Sequence, residues 1–96
     1  MRLSERAKKL KDSIKKEYDI TDEAGLAILD TACEALDLMR KSQKVVDRDG
    51  LTVTGDRGQI KAHPLLSIIR DSRAQFLMAL KHLNLDLEPL RDRPGR

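Results

Sequence analysis

Three stretches of the chain repeat apolar residues at three- and four-residue spacing, and a short stretch between the second and third does not. In the first, Leu3, Ala7, Leu10, Ile14 and Tyr18 form a narrow stripe, which predicts an amphipathic helix from Arg2 to Tyr18 with Ser4 as N-cap. A restart follows at Asp19-Ile20-Thr21-Asp22-Glu23-Ala24. There Thr21 is the expected N-cap, Asp22 and Glu23 suit the positive end of the helix macrodipole, and Ile20 can pack back as a staple. No breaker except Gly25 then intervenes until about Asp47, so the second helix should be roughly 38 Å long. Its apolar positions, Leu26, Ile28, Leu29, Ala32, Cys33, Ala35, Leu36, Met39 and Val46, cover more than half of its circumference in the first part. One neighbour cannot bury so wide a face. The first helix is expected on one side and the third, or another copy of the chain, on the other.

The third helix is expected from Pro64 to Leu83, with Pro64 in the first turn and Asn84 as a left-handed cap. Leu65, Ile68, Ile69, Ser72, Phe76, Leu77, Ala79, Leu80 and Leu83 make its apolar face. Between the second and third helices, Leu51–Thr54 and Gln59–Ala62 flank Gly55-Asp56-Arg57-Gly58, the pattern of a β-hairpin with a four-residue loop. Leu51 and Val53 share one face, Thr52 and Thr54 the other. An isolated hairpin is marginal in water, so this one needs helices or another chain to lean on. The connection is short, so the two longer helices should run antiparallel with the hairpin at their tip. The expected fold is therefore mainly α, with three helices. It divides into a basic helix at 1–20, a helical-hairpin core at 21–84 carrying the β-hairpin at 51–62, and a tail at 85–96. In the tail Leu85, Leu87 and Leu90 alternate with Asp86, Glu88 and Arg91, and Pro89 and Pro94 bar a long helix.

Composition narrows the class. A chain of 96 residues makes one small domain, which buries only about 60–65% of its unfolded surface. Tyr18 and Phe76 are its two aromatic residues, so the core is aliphatic, as helix-on-helix packing allows. Cys33 has no second cysteine to pair with, which points to a reducing, cytoplasmic setting. No signal-peptide pattern and no apolar run near 18 residues is present, so neither secretion nor a membrane partner is expected.

Charge is distributed in blocks. Residues 1–19 carry +3, residues 20–39 hold five acids and no base, and residues 40–62 return to +3. Such blocks suit head-to-side assembly of identical chains as well as they suit phosphate binding. Arg2, Arg6, Lys8, Lys9, Lys11, Lys15 and Lys16 on the first helix form either a solvated face or a phosphate-contacting one. Arg40, Lys41, Lys44 and Arg48 near the end of the second helix are explained by dipole compensation alone. Asp22, Asp30 and Asp37 recur about every two turns, an acidic stripe that a basic helix could cover.

No catalytic constellation is visible, and no metal or cofactor is expected. His63 and His82 have no cysteine or acid at metal-ligand spacing, and a histidine before proline is ordinarily a turn or cap residue. Gly55-Asp56-Arg57-Gly58 lacks the Gly-Lys-Ser/Thr ending of a P-loop. Arg70, Asp71 and Arg73 read as a salt-bridge cluster at an interface rather than a catalytic device.

One ordered string is more specific than any of its parts. Asp49-Gly50-Leu51-Thr52-Val53-Thr54, Gly58-Gln59-Ile60-Lys61-Ala62-His63-Pro64, Arg70-Asp71-Ser72-Arg73-Ala74, Phe76 and Leu83-Asn84-Leu85 together resemble the small subunit of the DNA-packaging terminase of tailed phages, in its short, all-helical type. The resemblance runs from near Thr21 to about Pro89, whereas residues 1–20 share only a basic, helical character and are short for the family. It implies a non-catalytic subunit that recognises double-stranded viral DNA, assembles as a ring, and hands the DNA to a large terminase subunit bearing the ATPase and nuclease. The DNA candidates are then the seven basic residues of the first helix, with Lys41, Lys44, Arg48, Arg57 and Lys61 near the hairpin as a second set. Leu51, Val53, Ile60, Leu65, Ile69, Arg70, Asp71, Arg73 and Phe76 are the candidates for contact between copies. Two other readings stay open: a helical adaptor that binds protein only, and a small helix-turn-helix regulator with its turn at Asp19-Ile20-Thr21.

Overall fold

The first helix owes its limits to two local devices. In the computed structural model, which describes residues 3–83, helix α1 spans Glu5–Glu17. It starts at Glu5 rather than Arg2 because Ser4 takes an extended backbone and its hydroxyl accepts the Ala7 N–H at 3.2 Å. Arg2 lies outside the described residues. At the other end Asp19 adopts φ 53, and the Ile20 N–H reaches back to the Lys15 carbonyl at 3.0 Å. This is a Schellman-type stop, with aspartate among the few residues that tolerate the left-handed position. The turn buries Ile20, which packs in the same cluster as Ile14.

Helix α2 spans Glu23–Asp49, about 40 Å at the usual rise. Its N-cap is Asp22, not Thr21: the Asp22 carboxylate accepts the Gly25 N–H at 2.9 Å and brings a full negative charge to the positive helix end. Strand β1, Thr52–Thr54, pairs antiparallel with β2, Ile60–Ala62, setting Thr52 opposite Ala62, Val53 opposite Lys61 and Thr54 opposite Ile60. The loop is tighter than the expected four residues. Gly55 donates its N–H to the Gln59 carbonyl at 2.7 Å, which leaves Asp56, Arg57 and Gly58 to make the turn. Gly58 supplies the positive φ, 81°, that a three-residue hairpin loop requires. The His63 N–H donates to the Leu51 carbonyl at 2.8 Å and closes the base of the hairpin.

Helix α3 spans Leu65–His82 with Leu83 as its C-cap, and the expected cap Asn84 and the leucine-rich tail lie outside the described residues. The early α2 residues Ala27, Ile28 and Thr31 face the late α3 residues Gln75, Met78 and His82, so the pair is antiparallel with the β-hairpin at its tip. Helix α1 also runs antiparallel to α2. Ser4 meets Asp37 and Lys11 meets Asp30, seven residues apart on both helices. The cluster of Ala7, Ile20, Leu29 and Cys33 joins α1 to α2, with Leu3, Ile14, Tyr18, Leu26 and Leu83 around it. Val46, farther along α2, is buried outside that cluster, and on α3 Ile69, Ser72 and Ala79 are buried. The wide apolar face of α2 is thus shared between two helices. Leu77, expected on the apolar face of α3, is instead half exposed, one position outside the buried stripe.

Candidate nucleic-acid and assembly interfaces

The basic face of α1 is set by which of its residues the core requires. Ala7 is buried, and Leu10, Lys11 and Ile14 are partly so, which turns Lys9 and Lys16 outward and puts Lys8 and Lys15 on one flank. Among the described residues Arg6, Lys9, Lys15 and Lys16 make no ion pair, and Lys8 makes only a loose one, 3.7 Å from Glu5. Lys11 is different. Its ammonium lies 2.6 Å from the Asp30 carboxylate, and this hydrogen bond holds its pKa above the ordinary lysine value. Lys11 therefore fastens α1 to the acidic stripe and is the least available of the set to an outside phosphate.

Asp37, in the same stripe, is buried by the start of α1. Burial by itself would raise its pKa, but the Ser4 hydroxyl at 2.7 Å and the Ser4 N–H at 2.8 Å both donate to it. With the charges of Lys41 and Arg40 nearby, these hydrogen bonds hold the carboxyl below its usual range. Lys41 sits one turn beyond Asp37, so the second basic set begins one turn of α2 beyond the start of α1.

Within that second set Lys41, Lys44 and Arg48 follow one another along one exposed face of α2, and Arg57 and Lys61 are exposed on the hairpin. Arg48 is engaged by its neighbour, its Nε 2.8 Å from Asp49. Arg48 and His63, 3.0 Å away on the other side, hold the Asp49 carboxyl down to about 2. The imidazole of His63 also accepts the Leu65 N–H at 3.1 Å, so it caps α3 while gripping the end of α2. This clamp fixes where the hairpin leaves the helical pair. Its two ends are 14 residues apart, and only the turn-or-cap role of His63 was readable locally.

The residues expected between copies fall into three groups. Leu51 is 67% exposed and Ile60 77%, so the hairpin presents aliphatic side chains to solvent instead of resting on the helices. Val53, Leu65 and Phe76 are partly buried, Arg73 is exposed, and the exposed pair Arg70 and Asp71 meet each other at 3.2 Å. Ile69 is buried within the chain, facing α2, and is not available to a neighbour. One apolar feature had no sequence signal: a groove of about 340 Å³ at the opposite end from the hairpin, between α2 and α3, lined by Ala27, Ile28, Thr31, Gln75, Met78, Ala79 and His82.

The same geometry bears on the other classes considered. The close antiparallel packing of α1 on α2 differs from the steep crossing of a helix-turn-helix pair. Among the described residues no group of three His, Cys, Asp or Glu could hold a metal ion, and no helix is long and apolar enough to cross a membrane. Cys33 is enclosed in the α1–α2 core, where burial pushes its thiol pKa up, away from the reactive thiolate.

A family model of the phage terminase small subunit matches residues 8–89. No curated protein and no solved structure matches the chain. The family match begins at Lys8 rather than near Thr21, so it takes in most of the basic helix α1 as well as α2, the hairpin and α3. By that span, over a mainly helical chain with its hairpin between the two long helices, the protein belongs to the phage terminase small subunit family, proteins of viral DNA packaging.

Proposed function

We propose that this chain is the non-catalytic subunit that recognises double-stranded viral DNA, assembles with copies of itself into a ring, and presents the DNA to the large terminase subunit. The observation that carries the reading is the outer face of α1. Within the family-matched region, Lys9 and Lys16 point away from the core, Lys8 and Lys15 are exposed on its flank, and Lys11 alone is drawn inward to an acid. Lysines arranged along a rod contact phosphates, which gives affinity and salt dependence without base specificity. The large subunit would supply ATP hydrolysis and cleavage, a division that agrees with the lack of a catalytic cluster in the sequence.

Neutralising Lys8, Lys9, Lys15 and Lys16 together with glutamine tests this. Each lost phosphate contact lowers the slope of log affinity against log salt by about 0.9, so a drop of up to about 3.6 is expected. An affinity and slope equal to those of the unaltered protein would remove α1 from the DNA surface. The exposed Leu51 and Ile60 support a second reading, an adaptor that binds protein only. Absence of any salt-sensitive shift of duplex DNA at micromolar protein would favour it.

A further inference from the structure

Among the described residues two apolar surfaces are left open, and they lie at opposite ends of the molecule. The hairpin at the tip exposes Leu51 and Ile60, the latter on the strand face shared with Thr52, Thr54 and Ala62. The groove at the far end opens between the first turns of α2 and the last turns of α3, where Met78 is 59% exposed at its lip. The molecule measures 57 Å along its longest axis, so no chain can fill its own groove with its own hairpin.

Charge singles out the occupant. The groove is walled by α2 within the block of residues 20–39, which holds five acids and no base. Glu23 stands one turn before Ala27, and Glu34 one turn beyond Thr31, on the same side of the helix. On the hairpin, Arg57 in the loop and Lys61 on the strand face opposite Ile60 outnumber Asp56, so the hairpin is net positive. A net-positive hairpin with an exposed isoleucine meets an apolar groove flanked by carboxylates, and both partners are supplied by one sequence.

We propose that the β-hairpin of one copy docks in the α2–α3 groove of the next. Ile60 enters beside Ile28 and Met78, while Arg57 in the loop faces Glu23 and Glu34. This contact joins two different patches, so it is heterologous: an open row of copies keeps one free hairpin at one end and one free groove at the other until it closes on itself. The inference rests on the assembling role proposed above and specifies its interface.

Two single variants at exposed positions test it, Ile60→Asp on the hairpin and Met78→Asp in the groove, with circular dichroism confirming the helical fold of each. Light scattering on a sizing column should show the unaltered chain as an assembly and each variant alone as a single chain. An equimolar mixture should stop at a 1:1 dimer, because only one intact hairpin and one intact groove remain to meet. Met78→Asp assembling like the unaltered chain would overturn the docking and point to hairpins pairing with hairpins. A mixture that stays as single chains would also overturn it, as would an unaltered chain that never assembles. In the first two cases salt-dependent DNA binding by α1 would be untouched, which separates failure of the docking from failure of the functional reading.

Discussion

Ser4 caps α1 and, with the same hydroxyl, donates to the buried carboxylate of Asp37 on α2. Losing the cap costs about 1 kcal/mol, and weakening the bonds to a buried charge costs at least as much again. Ser4→Ala should therefore lower unfolding free energy by about 2 kcal/mol in urea melts; a loss no larger than that of an ordinary cap would mean that Asp37 does not need the hydroxyl. The two depressed carboxyls make a second prediction. Asp37 and Asp49 titrate lower in the folded chain than the ordinary 3.8, so the stability they contribute is present above that value and is lost as pH falls below it, for Asp49 towards about 2. Thermal melts should stay level from neutral pH to about 4 and then decline. Asp37→Asn should be less stable at neutral pH yet lose less on acidification, and parallel acid limbs would contradict the assignment. The cap on Ser4 is legible in sequence because it is a local bond. The bond to Asp37 spans 33 residues and carries no local mark. Thr21 and Asp22 show the limit at short range, since both are good caps and the one chosen is the one whose charge reaches the Gly25 N–H.

The helices were readable because a period of 3.6 residues survives wherever one face is buried, and α2 kept its signal even with two neighbours. The hairpin was readable from its glycines and its alternation, but not its freedom from the helices: that depends on where His63 and Asp49 aim it. These elements should respond differently to truncation. Leu29 is fully buried between α1 and α2, so Leu29→Ala should cost about 3 kcal/mol. Ile60→Ala, on an exposed strand, should change the stability of an isolated chain by less than about 0.5 kcal/mol. Chemical denaturation at a concentration too low for assembly checks both. A large loss at Ile60 would mean that the hairpin folds back on the helices.

As a whole the molecule is a rod, 57 Å by 33 Å by 20 Å, whose long helix α2 is acidic over its first half and basic over its second. That polarity is legible in the charge blocks, because the helical hairpin places residues 20–39 and 40–62 at opposite ends. The groove was not legible, since it arises from how two helices diverge. The His63 clamp has a consequence at this scale. One imidazole, wedged between the last carboxylate of α2 and the first free N–H of α3, sets the angle between rod and hairpin. If the hairpin of each copy seats in the next, that angle is the interior angle of a polygon, and a few degrees decide how many sides it has. His63→Ala should then leave copies able to join but spread their number over several values in native mass spectrometry, where the unaltered chain gives one. In that arrangement a single imidazole ring serves as the protractor by which the assembly counts its members.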